Sequence, residues 1–198
     1  MQLIGRDEVI SRVSAQLAHH RLITLVGPGG IGKTSVAIAT AEGMTESYDH
    51  GVWFVDLTAI SDPTLLAKAL GSAIRLGPSA EDPFARLLSF LRDKRMLLVL
   101  DNCEHIISAT AALAFQVLQT APCVQILATS REPLGVQGER LHHLQSLEIP
   151  SVLHGLSAAE AFNFSAIQLF VECAANVLGD FRLQGSRGAG GRRHLPKA

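Results

Sequence analysis

Net charge is almost absent from this sequence: 17 Lys and Arg stand against 18 Asp and Glu, leaving −1 with His neutral. No global field therefore draws the 198-residue chain to nucleic acid. Long apolar runs are missing as well. No stretch approaches the roughly 18–20 residues needed to span a bilayer, and Met1–Arg12 has no apolar core of a secretory signal. The expectation is a cytoplasmic chain with no membrane partner. Cysteine is scarce: Cys103, Cys123 and Cys173 are unclustered and lack metal-ligand spacing, so they read as buried, reduced thiols. The histidine pairs His19-His20 and His142-His143 cannot converge adjacent rings on one metal and read as surface or packing residues. An N-K-x-D element, which would favour guanine, is missing. Nothing points to secretion, so the Asn163-Phe164-Ser165 sequon carries no weight.

The composition that remains, 47% hydrophobic and 18% charged, is that of a globular chain long enough for one well-buried domain. Apolar runs alternate with helical periodicity. Val9, Ile10, Val13 and Leu17 stripe a helix over 7–19. Leu22–Val26 is a short β-rich run stopped by glycines, and residues 35–41 suit a helix. Val52–Leu57 is a second strand. Asp62-Pro63 and Asp82-Pro83 each place a capping carboxylate before a first-turn proline. The first opens a stripe of Leu65, Leu66, Ala69, Leu70, Ala73 and Ile74, the second one of Phe84, Leu87, Leu88 and Leu91. Met96–Leu100 and Val124–Ala128 are further strands, with a helix over 106–119 between them and a last strand expected over 141–149. A helix over 158–178 sets Ile167, Phe170, Val171 and Ala174 on one face. Uniformly apolar strands alternating with helices specify an α/β fold whose parallel sheet is covered on both faces. In such sheets ligands lie beyond the carboxyl ends of the strands.

The chemistry-bearing residues fall at those ends. Gly27-Pro28-Gly29-Gly30-Ile31-Gly32-Lys33-Thr34 satisfies G-x-x-x-x-G-K-[ST] between a strand and a helix. Its glycines let the backbone curl and aim N–H groups at phosphate oxygens, and the helix that begins with Ser35 adds its positive end. Lys33 is placed to reach β- and γ-phosphates, and the Thr34 hydroxyl to ligate Mg²⁺. The run Leu97–Asp101 ends in a carboxylate at the same edge, a second Mg²⁺ ligand. Asn102 follows where many hydrolytic relatives carry Glu, and Asn is no general base. Glu104 could take that role only if the strand end turns it toward the phosphates; otherwise it is a carboxylate beside a helix start. Slow hydrolysis is the expectation. Arg131 closes a third strand, either as a γ-phosphate sensor or as a surface partner of Glu132 or Glu139. Ile4-Gly5-Arg6-Asp7 reads as a turn and a helix cap.

Taken together, LIGRDE at Leu3–Glu8, VGPGGIGKTSVA at Val26–Ala37, VWFVDL at Val52–Leu57, LLVLDNCEH at Leu97–His105 and ILATSREPLGVQGE at Ile126–Glu139 carry a resemblance. The runs LQSLEIP at Leu144–Pro150 and AIQLFVE at Ala166–Glu172 extend it, so that it covers roughly residues 3–183. The chain resembles the nucleotide-binding domain of signal-transduction ATPases with numerous domains, the STAND class related to the NB-ARC or AP-ATPase group. Within that class it is similar to ATPase modules of bacterial LuxR-type and winged-helix (AfsR-like) transcriptional regulators. The resemblance implies a three-layer P-loop fold, a mainly parallel five-stranded sheet of the additional-strand type. It implies that Ile4, Gly5 and Arg6 border the adenine, that Asp101 holds Mg²⁺ and that Arg131 senses the γ-phosphate. It implies a switch between ADP and ATP within a larger regulator carrying helical, winged-helix, repeat and DNA-binding domains of its own.

Past Leu183 the resemblance stops. The family continues into a helix ending in GLPLA-like text, whereas residues 184–198 are rich in Gly and Arg without apolar periodicity and read as disordered. The expected organisation is a nucleotide-binding domain over 1–150, with an adenine-side segment over 1–20, the truncated start of a helical domain over 151–183, and the tail. The expectation for this departure is a frameshift, with a natural basic tail as the alternative, too weakly charged for specific nucleic-acid binding. Rival functions are a small-molecule P-loop kinase, for which the sequence offers no clear lid, and a decayed fragment without nucleotide function.

Overall fold

A computed structural model describes residues 3–77, 79–150 and 156–178. The disordered tail expected over 184–198 lies outside the described residues. The chain divides into two compact units, Met1–Ser146 and Leu147–Ala198.

In the first unit, α1 (Asp7–Leu17) leads into β1 (Leu22–Val26), and α2 (Lys33–Gly43) follows the glycine loop. β2 (Val52–Asp56), α3 (Leu66–Ala73), α4 (Pro83–Leu91) and β3 (Met96–Asp101) come next, then α5 (Ile107–Thr120), β4 (Val124–Ser130) and β5 (Glu139–His143). The five strands form one sheet in the order β2-β3-β4-β1-β5, and every pair is parallel. β4 therefore stands between the strand that feeds the glycine loop and the strand that ends in Asp101, the additional-strand arrangement.

Side-chain alternation splits the core. Along β3, Met96, Leu98 and Leu100 face a cluster with Leu66, Leu70, Leu87, Leu91, Leu113 and Val117 of α3, α4 and α5. Leu97 and Val99 face the other way, onto Val13 and Leu17 of α1 and Val36 and Ala37 of α2. All six residues of β3 are buried, as a strand covered on both faces requires. Each such Leu or Val contributes about 1.5–3 kcal/mol by leaving water.

Several boundaries differ from the sequence reading. The Asp62 carboxylate does cap Thr64 N–H, but the turn it opens is a 3₁₀ turn at Pro63–Leu65, which leaves Leu65 48% exposed. The covered stripe of α3 is Leu66, Ala67, Leu70 and Ile74. The last strand is Glu139–His143 rather than 141–149, because its register against β1 runs from Leu22↔Glu139 to Val26↔His143. Asp82 caps α4 as expected, accepting from Ala85 N–H at 2.8 Å. Cys103 is buried, but Cys123 and Cys173 are exposed free thiols, which corrects the expectation for those two.

In the second unit the helix expected over 158–178 is broken. α6 (Ala158–Ala161) starts from a capping box between Ser157 and Glu160, and α7 (Ser165–Leu178) begins after Phe162-Asn163-Phe164. Phe170 is 61% exposed, whereas Ile167, Val171 and Ala174 on the expected face are half-buried. No helix among the described residues is long and apolar enough to cross a membrane.

Candidate functional site

Because all five strands run parallel, their carboxyl ends form one edge, and the loops after β1, β3, β4 and β5 meet there. The loop after β1 is pinned at its root by Gly27 N–H donating to Ser130 O at 3.3 Å. Gly30 and Gly32 have φ of +75° and +96° with open space around them, so backbone conformation alone demands glycine there. At Gly29 the demand is proximity: a Cβ would lie 3.4 Å from Nη2 of Arg131. The N–H groups of Gly29, Gly30, Ile31 and Gly32 have no acceptor among the described residues. Those of Lys33, Thr34 and Ser35 belong to the first turn of α2, where no intrahelical acceptor exists. The loop is thus a concave set of unpaired donors at a helix N-terminus. Lys33 is buried, and its Nζ donates to Gly27 O at 2.8 Å and Pro28 O at 3.0 Å.

Opposite the loop stands Asp101, the last residue of β3 and 2% exposed. Thr34 Oγ1 donates to its carboxylate, 2.9 Å from Oδ1 and 3.0 Å from Oδ2. Thr129 Oγ1 donates to Oδ1 at 2.5 Å, and Asn102 Nδ2 to Oδ2 at 3.1 Å. Thr129 was not singled out from the sequence. It is fully buried on β4, accepts the Asn102 N–H at 3.0 Å, and so holds both the aspartate and the turn after it. Asn102 takes φ +60°, a conformation its residue type tolerates, and its amide also donates to Thr58 Oγ1 at 2.8 Å. The carboxyl of Asp56, paired in register with Asp101, is held below its ordinary value mainly by hydrogen bonds from the Thr58 hydroxyl and N–H. The Cys103 thiol is pushed up to about 12 by burial and the neighbouring Asp101 and Glu104, so it is an inert neighbour of the site.

Arg131 pairs with neither Glu132 nor Glu139. Its Nε donates to Glu104 Oε1 at 3.1 Å, while Glu139 accepts the N–H groups of Leu134 and Gly135. The second oxygen of Glu104, Oε2, is buried without a partner. Glu104 sits in the 3₁₀ turn Cys103–Ile106 that precedes α5, so the turn after β3 brings it to Arg131 beside the glycine loop.

The segment Ile4-Gly5-Arg6 reaches the same edge. Gly5 turns with φ +66°, and Arg6, 8% exposed, sends Nη2 to Ile31 O at 2.9 Å and Nη1 to Gln145 O at 2.7 Å. Arg6 occupies the N-cap position of α1 without a side-chain cap; its guanidinium ties the N-terminal turn to the glycine loop instead. Burial lowers its pKa from the ordinary arginine value. The sequence signals a turn there but not this long-range brace.

Two oxygen donors in contact, the Thr34 hydroxyl and the Asp101 carboxylate, suit a hard divalent cation. Among the described residues no three His, Cys, Asp or Glu side chains cluster as a metal cage. A cation here would need its remaining ligands from water or a bound ligand, as Mg²⁺ tolerates. The residues present therefore fit both groups expected from the sequence.

Comparison with known proteins agrees with this geometry. Over 173 residues the chain is 39% identical to a provisionally named HTH-type transcriptional regulator of Mycobacterium tuberculosis, covering 85% of this chain and 18% of that protein. It is 33% identical over 184 residues to an uncharacterized protein of the same organism, covering 91% of this chain and 43% of that one. The chain thus spans less than half the length of these relatives. Among solved structures, a STAND protein with a tetratricopeptide repeat sensor from Pyrococcus horikoshii aligns with TM-score 0.55 and 17% identity, over 89% of this chain and 28% of that one. A chain of the Drosophila ORC bound to DNA aligns with TM-score 0.54 and 13% identity, over 71% of this chain and 42% of that one. These two likenesses show the P-loop fold alone. Residues 16–132, which run from the end of α1 past Arg131, match the family described as AAA domain, and the chain belongs to that family of P-loop ATPase-type domains.

Proposed function

We propose that this domain is an ATP/ADP-binding switch of a signal-transducing transcriptional regulator of the STAND (NB-ARC-like, LuxR-type) class, with slow Mg²⁺-dependent ATP hydrolysis. The observation that carries the reading is the contact of Thr34 with Asp101, across from a loop of unpaired N–H groups and a buried lysine. In this reading the N–H groups of Gly29–Ser35 hold the phosphates, and Lys33 exchanges the carbonyls of Gly27 and Pro28 for phosphate oxygens. Thr34 and Asp101 would hold Mg²⁺, which would supply neutralisation of the phosphate charge. Ile4, Gly5 and Arg6 border the base. Arg131, beside Gly29, reads the presence of the γ-phosphate through its Nη groups while its Nε keeps Glu104.

Slow turnover follows from the residues after β3. Asn102 spends its amide on Thr58 and Asp101 and cannot take a proton. Glu104 is tied to Arg131 and is poorly placed to orient water. The regulator context rests on relatives much longer than this chain, so the helical, winged-helix, repeat and DNA-binding partners belong to the proposal.

The test is ATP binding with and without chelator in wild type and Asp101→Asn. The wild type is expected to lose affinity on chelation, and the variant to bind equally in both conditions. Equal affinity of the wild type with and without Mg²⁺ overturns the metal assignment.

A further inference from the structure

The opposite edge of the sheet carries a second cleft. Arg21, Arg95 and Cys123 each stand one residue before a strand, namely β1, β3 and β4. Because β4 lies between β3 and β1, Cys123 sits between the strands that the two arginines precede. These are amino ends of parallel strands. The five residues of β1 separate this edge from the glycine loop by roughly 16 Å. The cleft has a volume of about 490 Å³, within the range of small-molecule sites.

Its chemistry is one-sided. Arg21 and Arg95 line it and no carboxylate does. Neither guanidinium is consumed elsewhere. Arg21 reaches Ala121 O only at 3.5 Å, the outer limit of a hydrogen bond. The ion pairs among the described residues are Arg12 with Glu8 and Arg131 with Glu104, and Arg95 has none. The helix ends nearby are already satisfied. Gln125 Nε2 donates to Leu17 O and His20 O at the end of α1, and Met44 N–H and Thr45 Oγ1 donate to Ala41 O at the end of α2. Tyr48 supplies no counter-charge either. Its hydroxyl donates to Gln125 Oε1 at 2.5 Å, and burial pushes its pKa up to about 12. Two positive charges thus share a cleft that no carboxylate lines, beside an apolar wall of Met44 and Pro122.

We propose that this cleft binds a small organic anion, a phosphate or carboxylate on an apolar body. The charged end lies between Arg21 and Arg95, and the apolar body lies on Met44 and Pro122. The proposal is independent of the nucleotide reading, since it uses no residue of the carboxyl edge.

Cys123, exposed in the cleft, reports on occupancy. In a Cys173→Ser background its alkylation by iodoacetamide is followed by mass spectrometry as phenyl phosphate or benzoate is raised to about 10 mM, without nucleotide. Saturable protection is expected, about sixfold for a dissociation constant near 2 mM. It disappears in Arg95→Gln, returns in Arg95→Lys, and is weaker with inorganic phosphate, which lacks the apolar body. Protection by only one of the two organic anions supports the site and names its head group. A flat rate with both anions, or protection unchanged in Arg95→Gln and in Arg21→Gln, overturns it. Thermal melting confirms that each variant is folded before its rate is read.

Discussion

Thr129 shows how much rests on one hydroxyl. It donates to Asp101 and accepts from Asn102 N–H, with no access to water. Thr129→Val keeps the shape, leaves the Asn102 N–H without its acceptor and takes one donor from Asp101, so it is expected to cost about 1–3 kcal/mol in urea unfolding. Thr129→Ser should retain most of that stability, and equal losses in the two variants would point to packing instead. Glycines make a sharper contrast. Gly32→Ala places a Cβ at φ +96°, which costs roughly 1–2 kcal/mol. Gly43→Ala, near the end of α2 with open space and no positive φ, should stabilise by about 0.4–1 kcal/mol. Melting curves that shift the same way for both would contradict the conformational argument. His142 adds a pH signature. Burial, then Arg12, His143 and Arg140, lowers its pKa from 6.5, so the unfolded chain binds its proton more readily than the folded one. Its contribution is complete above 6.5 and is lost as pH falls through the lowered folded value. Stability measured from neutral to acid pH should therefore fall, and less steeply in His142→Gln.

At the scale of elements, what was legible followed from local chemistry. β1, β3 and β4 declare themselves as mostly apolar runs because both of their faces are covered. The start of α4 is written in Asp82-Pro83, and Asp82→Ala should cost about 0.5–2 kcal/mol by leaving Ala85 N–H without its cap. β5 was misplaced because it is an edge strand of mixed polarity, Glu-Arg-Leu-His-His, whose position is set by pairing with β1. The apolar residues that follow it, Leu144 among them, drew the expectation downstream. The break between α6 and α7 was hidden for a related reason. Phe162-Asn163-Phe164 keeps an apolar rhythm, while the capping box at Ser157 and the restart at Ser165 divide the helix. Long-range braces were the least legible. Arg6 to Ile31 O and Gln145 O spans 25 and 139 residues of sequence, and no local pattern announces such a contact.

For the molecule as a whole, an all-parallel sheet gathers its functional loops on one edge and leaves the other free. The motif residues of the glycine loop, Lys33, Thr34 and Asp101 were readable from spacing, and the fold brings them together. Arg131 and Glu104 were readable as candidates, but their pairing depends on how the turn after β3 meets the end of β4. The two sheet edges predict two separable ligand responses, nucleotide at the carboxyl ends and organic anion at the amino ends. The most direct measurement is calorimetric titration of ATP and ADP, with Mg²⁺, into the folded chain and its Lys33→Ala variant. Saturable binding to the wild type and none to the variant is the expected result. A folded wild type that takes up neither nucleotide at millimolar concentration, or a variant that binds ATP as tightly, would contradict the phosphate site.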